Sequence, residues 1–581
     1  MRAKFRFRIR IIALALMALA LVIVAKLYTL QILHGSELRT QVDDQNVAPV
    51  GSALHRGTIY FTQKDGTRIP VATLQSGYTL AIQPAFIEDA NLAYTRVQSV
   101  LPAIDREQFL AAAARSRDTY EEISRRVDEE AGQALSALEV RGVLPVRDRW
   151  RFYPAGTLAA HEIGFLGYAE DGRTFEGRYG LERTYDPVLS RADAAKSRSF
   201  VADLVSDVSK RLTPAGREAG GDVVTALEPT VQRYLEDTLK AYAEAWQPRT
   251  LGGIIMDPQT GAILAMASLP TYDPNDIKNA DPNALTNPLV SSVLEFGSTM
   301  KPITMAAALD ANVVTPETTY NDTGILTIDK KTIRNFDGKA RGVVPMQEVL
   351  SQSLNIGIAH IVEKMGPTTM RDYLQRFGIT EETGIDLPSE ATPLVRNLES
   401  PRIVEYITAG YGQGVAISPI AMTRALATLA NRGQVPQPHV AVSLEYPGGI
   451  SKPLGWAPPR QAIRQESAHE VTTMLVKVVD TALRGGGKKI PELSVAAKTG
   501  TAQIADPERG GYYADRYLHS FFGYFPAYDA RFLVFLYSVE PQGAKYASET
   551  WTDPFFNLTT FLMTYYGVPY DRATTTPVST L

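Results

Sequence analysis

The 581-residue chain contains no cysteine. Disulfides, thiolate zinc sites and a thiol nucleophile are excluded with it. A strong charge of either sign is also missing: 59 Lys and Arg stand against 63 Asp and Glu, a formal net charge of -4. No long basic stripe compensates, so the footprint of a nucleic-acid binder is absent. The seven histidines show no ligand spacing. The stretches 161-HEIGF-165 and 469-HEVTT-473 begin like a zinc-binding helix but lack its second histidine. The stretch 484-RGGGKKI-490 has the glycine content of a phosphate loop, without the Walker spacing or its terminal Ser/Thr, and reads as a mobile loop. Internal repeats are lacking too. What remains is a globular composition, 45% hydrophobic and 21% charged, long enough for more than one domain.

One long apolar run is present. Arg2, Lys4, Arg6, Arg8 and Arg10 precede an uncharged stretch from Ile11 to Ala25, followed by Lys26 and 27-LYTLQIL-33. Fifteen helical residues reach only about 22 Å, short of a bilayer core of roughly 30 Å. Extension to Leu33 spans it, with the Lys26 amine snorkelling to the outer interface. The basic cluster holds the N-terminus in the cytoplasm. The alternative is a cleaved signal peptide, against which stands the lack of a small-residue cleavage site. The expected organisation is a cytoplasmic tail over 1–10, an anchor over 11–33, a membrane-proximal domain over 34–220, a second domain over 221–568 and a flexible tail over 569–581.

In the first of these domains, short β-rich pieces such as 78-YTLAIQ-83 alternate with a charged, predicted helical region over 105–135. Arg56, Glu182 and Arg183 lie in glycine-flanked pieces read as turns and a domain contact. From residue 222 the texture changes. The stretch 222-DVVTAL-227 reads as a strand, and Val231, Leu235, Leu239, Tyr242 and Trp246 have the spacing of one helical face. Two apolar runs joined by 257-DPQTG-261 read as a hairpin. Further strands are expected at 494–504, 519–526 and 531–540, with a largely helical middle over 290–480. Strands at both ends with helices between imply one sheet assembled from distant segments, an α+β or mixed α/β domain.

The stretch 296-FGSTMKPIT-304 places Ser298 and Lys301 three residues apart. On a helix these positions share a face. Pro302 is tolerated only near a helix start, which puts Ser298 at the N-terminus, where unpaired N–H groups favour an oxyanion. A lysine in a shielded pocket loses basicity and can serve as a base. Alone this pair is weak evidence, because most such pairs are a capping serine and a solvated lysine. Two more pieces join it: 353-SLN-355, with Ser353 and Asn355, and 498-KTGT-501 on a predicted strand, where Gly500 is expected to admit a ligand close to the backbone. Ser-x-x-Lys, Ser-x-Asn and Lys-Thr-Gly each occur once, in that order.

These three signatures are those of penicillin-binding proteins and class A β-lactamases. With 56-RGTI-59, 151-RFYPAGTLAAHEIGFLGY-168, 177-GRYGLE-182 and 411-YGQGVAISP-419, the chain resembles a class B penicillin-binding protein, a monofunctional peptidoglycan D,D-transpeptidase, nearly from end to end. The pieces 26-KLYTLQIL-33 and 547-ASETWTDPFFNLTTFLMTYYGVPYD-571 make it more similar to the division (septal) branch than to the elongation branch. It departs from the family pattern at Phe61 and Thr62, where an Asp-Arg pair is usual, at Phe296, a common proline, and at Ala497, a common glycine.

The resemblance implies an α+β fold: a transmembrane helix, an extended pedestal, and a transpeptidase domain with a central antiparallel sheet flanked by helices. It implies Ser298 as nucleophile, Lys301 as base, Ser353 as proton relay with Lys498 tuning it, and Asn355 holding Lys301 and a substrate amide. The backbone N–H groups of Ser298 and Thr501 would take the oxyanion. Thr499, Gly500 and Thr501 would line the substrate strand, with Lys498 and both threonine hydroxyls on the terminal carboxylate. No metal or cofactor is called for. Implied partners are stem peptides ending in D-Ala-D-Ala, β-lactams, a membrane glycan polymerase of the SEDS type and division proteins. A β-lactamase, a D,D-carboxypeptidase, a β-lactam sensor and an idle division scaffold are the competing readings. The large membrane-proximal domain disfavours the first of these, ten cytoplasmic residues disfavour the sensor, and the intact motif set disfavours the scaffold.

Overall fold

In the computed structural model the described residues are 56–115, 117–169, 175–190 and 220–572. The expected anchor over 11–33 lies outside them, as does the tail beyond 572. No helix among the described residues is long and apolar enough to cross a membrane. All described residues except 168, 169 and 175 belong to one compact unit.

The chain enters this unit through β1 (Ile59–Thr62) and the long β2 (Arg68–Ile82). Helix α1 (Ala90–Val100) starts where the Asp89 carboxylate accepts the backbone N–H groups of Asn91 and Leu92, and α2 (Arg106–Ala113) starts at Asp105 in the same way. The charged stretch expected to be helical throughout is interrupted by strand β3 (Glu121–Val127) before α3 (Glu129–Ala137). Ile123 and Val127 are buried against β2, and ladder pairing with that strand outweighs the local preference of a Glu/Arg-rich segment for helix. Strand β4 (Val143–Phe152) completes this end, pairing antiparallel with β2 from Thr73 to Ile82.

Strand β5 (Asp222–Thr225) leads into α4 (Pro229–Trp246), capped by the Glu228 carboxylate on the Val231 N–H. Val231, Leu235 and Leu239 on its inner face are fully buried, each contributing about 1.5–3 kcal/mol of apolar burial. Hairpin β6 (Thr250–Met256) and β7 (Ile263–Leu269) follows. The middle holds α5 (Lys301–Asp310), α6 (Asn355–Arg376, broken at Gly366), α7 (Ile403–Gly410), α8 (Pro419–Ala430) and α9 (Gln465–Lys477). It is less purely helical than its apolar spacing suggests. Ile325–Ile328 and Lys331–Arg334 form a hairpin there, and so do β8 (Ala441–Tyr446) and β9 (Ile450–Pro453). Strands β10 (Ala496–Ala505), β11 (Tyr512–Phe525) and β12 (Phe532–Val539), then α10 (Thr552–Tyr566), end the described fold.

Two sheets organise these elements. The central one has the order β10-β11-β12-β6-β7, antiparallel throughout, so distant segments do meet in one sheet, with β10 at its edge. Its two faces are covered by separate apolar clusters. One contains α5, α6 and α8 residues such as Ile303, Ile358 and Leu426. The other contains α4 and α10 residues such as Leu235, Phe555 and Leu558.

The second sheet has the order β9-β8-β5-β1-β2-β3, with β4 also on β2. Strand β5 is its pivot, parallel to β1 and antiparallel to β8. Beside it lies a buried ion network. Glu182 receives Arg56 at 2.6 Å and Arg151 at 2.6 Å, and Arg56 also reaches Asp186 at 2.8 Å. The Arg56–Gly57 piece therefore has a polar partner set. At the departure positions, Phe61 is buried and the Thr62 hydroxyl donates to the Thr225 carbonyl.

Candidate active site

Ser298 lies in a short 3-10 turn, Gly297–Met300, that runs directly into α5 with Pro302 in the first helical turn. The proline lacks an N–H where a helix needs none, so it fixes the start rather than breaking the helix. Gly297 sits at φ +59, and a Cβ there would lie 3.1 Å from the Thr501 carbonyl oxygen. Its N–H donates to the Gly412 carbonyl at 3.1 Å. Gly412 itself has φ +83, and a Cβ on it would fall 2.1 Å from the Gly297 oxygen. The 411–414 loop thus presses backbone to backbone on the turn that presents Ser298, which is half-buried.

One turn on, Lys301 is fully buried. Its Nζ donates to the Ser353 carbonyl at 2.6 Å and to Ser353 Oγ at 3.2 Å. Ser353 occupies the left-handed region at φ 57, between helix Met346–Ser351 and α6, which aims both its carbonyl and its hydroxyl at Lys301. Lys498 Nζ donates to the same hydroxyl at 3.2 Å and to the Thr499 carbonyl at 3.0 Å. Two amines therefore converge on one oxygen with no carboxylate among their partners. Burial, and then the neighbouring Lys498 cation, push the Lys301 ammonium well below the ordinary lysine range. Burial brings Lys498 down to about 8.

Strand β10 carries the other expected residues. Thr499 and Thr501 are partly exposed and line the same groove as Ser298, Ser353, Asn355 and Lys498, a cavity of about 770 Å³. The Thr501 hydroxyl accepts the Ala547 N–H at 3.0 Å. Gly500 has a different reason from the one expected. A Cβ there would lie 2.5 Å from the Phe296 carbonyl oxygen and 2.3 Å from Ser520 Oγ. The glycine lets the edge strand press on the serine turn, and it is buried beneath the groove rather than open to a ligand. Ala497 packs into the apolar cluster of α4 and α10 and also borders the groove.

Asn355 also differs from expectation. Its Nδ2 donates to the Arg334 carbonyl at 2.8 Å, and no bond to Lys301 forms. As first residue of α6 it lies beside hairpin 325–334, and it holds that hairpin as one wall of the groove. Arg484, in the glycine-rich stretch read as a loop, is tied by bonds to the Ser548 and Glu549 carbonyls, and Leu483–Gly486 forms a short 3-10 turn.

Sequence reasoning missed the braces of the site. Glu295 accepts the Gly414 N–H at 3.0 Å and the Tyr512 hydroxyl at 2.9 Å, and burial raises its carboxyl. Ser520 donates to the Phe296 carbonyl at 3.0 Å. Only 411-YGQGV-415 carried a signal for this shell. Among the described residues no three His, Asp or Glu side chains group as a metal site. His161 bonds the Ala284 carbonyl and Ser268, and His519 bonds the Lys545 carbonyl and Thr550.

The groove unites a hydroxyl at a helix start, a depressed lysine, a second hydroxyl bridging two amines, and an open edge strand: the parts of a serine acyl-transfer site. Over 90% of its length the chain is 28% identical to stage V sporulation protein D of Bacillus subtilis, covering 80% of that protein. It is 29% identical to the probable peptidoglycan D,D-transpeptidase FtsI of Caulobacter vibrioides, over 80% of this chain and 73% of that one. Its fold is shared with penicillin binding protein 3 of Mycobacterium tuberculosis, solved in complex with aztreonam, at TM-score 0.67 and 23% identity, covering 89% of this chain and 97% of that one. Residues 251–559, more than half of the chain, match the penicillin binding protein transpeptidase domain, and the chain belongs to that family.

Proposed function

We propose that this chain is a peptidoglycan D,D-transpeptidase that cross-links stem peptides through an acyl-enzyme on Ser298. The observation that carries the reading is the meeting of Lys301 and Lys498 on Ser353 Oγ, at 3.2 Å each, in the groove that Ser298 lines. Ser298 Oγ attacks the carbonyl carbon of the penultimate D-alanine, and neutral Lys301 takes the hydroxyl proton. The oxyanion is received by the backbone N–H groups of Ser298, at a helix start, and of Thr501, on an edge strand. As the C–N bond breaks, Ser353 passes its proton to the leaving amine and takes the proton held on Lys301 in its place, the Lys498 charge favouring transfer away from the amines. D-Alanine departs. The amine of a second stem peptide attacks the ester, and the proton it loses returns to Ser298 Oγ by the same relay.

Lys498 with the Thr499 and Thr501 hydroxyls receives the terminal carboxylate. Asn355 faces the substrate while fixing the wall at Arg334. A β-lactam offers the same carbonyl and carboxylate and acylates Ser298, a reading supported by the aztreonam complex of the structural relative. The FtsI relative supports work at the division septum. The basic cluster followed by the apolar run supports residues 11–33 as a membrane anchor with the catalytic domain outside the cytoplasmic membrane, and a SEDS-type glycan polymerase and division proteins as partners belong to the same reading.

Intact mass after exposure to penicillin tests the chemistry. One covalent adduct is expected on the wild-type chain and none on Ser298→Ala. An adduct retained by that variant places the nucleophile elsewhere.

A further inference from the structure

The floor of the groove serves the reacting end of a substrate, and its rim has a chemistry of its own. Arg334, Arg341, Arg484, Lys498 and Lys545 line the groove, and no Asp or Glu does so among the described residues. Lys498 belongs to the reacting centre. Arg341 is matched by two bonds to Asp337, at 3.0 and 2.8 Å. Arg484 holds backbone carbonyls and lies 3.5 Å from Asp553. Arg334 and Lys545 are exposed, and neither guanidinium nor ammonium has a carboxylate partner among the described residues. The nearest acid to Lys545 in sequence, Glu549, accepts the backbone N–H groups of Lys545 and Tyr546 at 3.2 and 3.1 Å.

These two cations stand on different walls. Arg334 ends hairpin 325–334, tied to α6 through Asn355. Lys545 precedes helix Ala547–Thr550, tied to β10 through Thr501. Each is followed by an aromatic ring, Phe336 and Tyr546, and the rings meet edge to face with centroids 5.8 Å apart. Phe336 keeps 53% of its surface exposed, an apolar face open at the groove mouth. An aromatic bridge with an unpaired cation beside each ring is built for a flexible peptide with aliphatic stems and negative charges.

We propose that Arg334 and Lys545 recognise carboxylates of the stem peptide away from its C-terminal D-alanine, so that the groove selects a peptide whose internal acidic residues are free over one in which they are amidated. This rests on the transpeptidase reading. The same carboxylates occur on the donor strand and on the acceptor strand. Replacing a carboxylate by a carboxamide keeps the acceptor oxygen and removes the charge, so the loss expected is that of one charge-assisted contact, about tenfold.

The test is protection of Ser298 against a fluorescent penicillin in the full-length chain. Two peptides are compared, each in free-carboxylate and amidated form: a stem pentapeptide ending in D-Ala-D-Ala, for the donor, and a stem tetrapeptide lacking the last residue, for the acceptor. In at least one pair the free form is expected to halve the acylation rate at about tenfold lower concentration than the amidated form, with the gap closing at high salt. Arg334→Gln and Lys545→Gln are expected to bring that ratio toward one, while Lys452→Gln, on β9, leaves it unchanged. Equal protection by both forms in both pairs overturns the proposal. So does a ratio that both variants preserve, or an absence of protection by any peptide. Failure of penicillin itself to acylate Ser298 would instead bring down the transpeptidase reading and this proposal with it.

Discussion

Lys301 and Lys498 each donate to Ser353 Oγ at 3.2 Å, so their nitrogens are separated by no more than twice that distance, about 6.4 Å. At an effective dielectric of about 20, two unit charges at that separation repel by about 2.6 kcal/mol. The direction follows from the causes: burial and the Lys498 cation both disfavour protonated Lys301, and Lys498, at about 8, is charged through the acid and neutral range. Removing the second charge in Lys498→Gln therefore lets Lys301 keep its proton to higher pH. The acid limb of Ser298 acylation should move to higher pH, and at a fixed pH on that limb the rate should fall by about 80-fold or more, the factor to which that repulsion corresponds. The alkaline plateau separately reports the lost carboxylate contact. Lys498→Arg keeps the charge and should keep the limb near its wild-type position. The assay is the second-order rate of acylation by a fluorescent penicillin as a function of pH. A Lys498→Gln limb superimposed on the wild-type limb would refute the coupling and remove Lys301 as the titrating base.

Three further outcomes follow from the packing. Gly412→Ala would drive a Cβ to 2.1 Å from the Gly297 oxygen at a positive φ; a loss of about 1–3 kcal/mol in urea unfolding, with acylation slowed at least about tenfold, is expected, and wild-type acylation would show that the loop does not brace Ser298. Glu182→Ala leaves Arg151 without a carboxylate and Arg56 with Asp186 alone, both arginines almost fully buried, and should cost about 3–5 kcal/mol by the urea midpoint; a cost below about 1 kcal/mol would contradict a buried network. Burial, with the Glu236 carboxylate adding to it, holds the Glu162 carboxyl well above the usual range. The folded state then keeps this proton longer than the unfolded chain, whose value is about 4.3, and the stability it brings is lost as pH rises through the folded value. Glu162→Gln should therefore gain in Tm relative to wild type between about pH 5 and pH 8, and a pH-independent Tm difference would refute the assignment.

The serine and lysine of the first signature could be read from the chain because a three-residue spacing places both on one helical face, and Pro302 marks where that helix starts. Ser353 was legible as a polar residue in a turn, but its left-handed backbone, which brings both amines to one hydroxyl, has no local signal. Gly500 was legible as a glycine and not in its cause, since the Phe296 carbonyl it accommodates lies two hundred residues earlier. Strand β3 was hidden by its charges, because the partner that makes it a strand, β2, is distant in sequence. The amphipathic α4 and the β6–β7 hairpin were readable because their periodicity and turn residues are local. The rim cations were not, because residues 334 and 545 come to line one groove only once the hairpin and the last strands are in place.

Strand β5 hydrogen-bonds to β1 on one side and to β8 on the other, so the two halves of the chain share one continuous ladder. Tension applied along β1 loads its parallel bonds side by side in shear, and they must give way together rather than unzip. A load on β1 is therefore carried across backbone hydrogen bonds into β5 and on to β8 and β9, beyond the pivot.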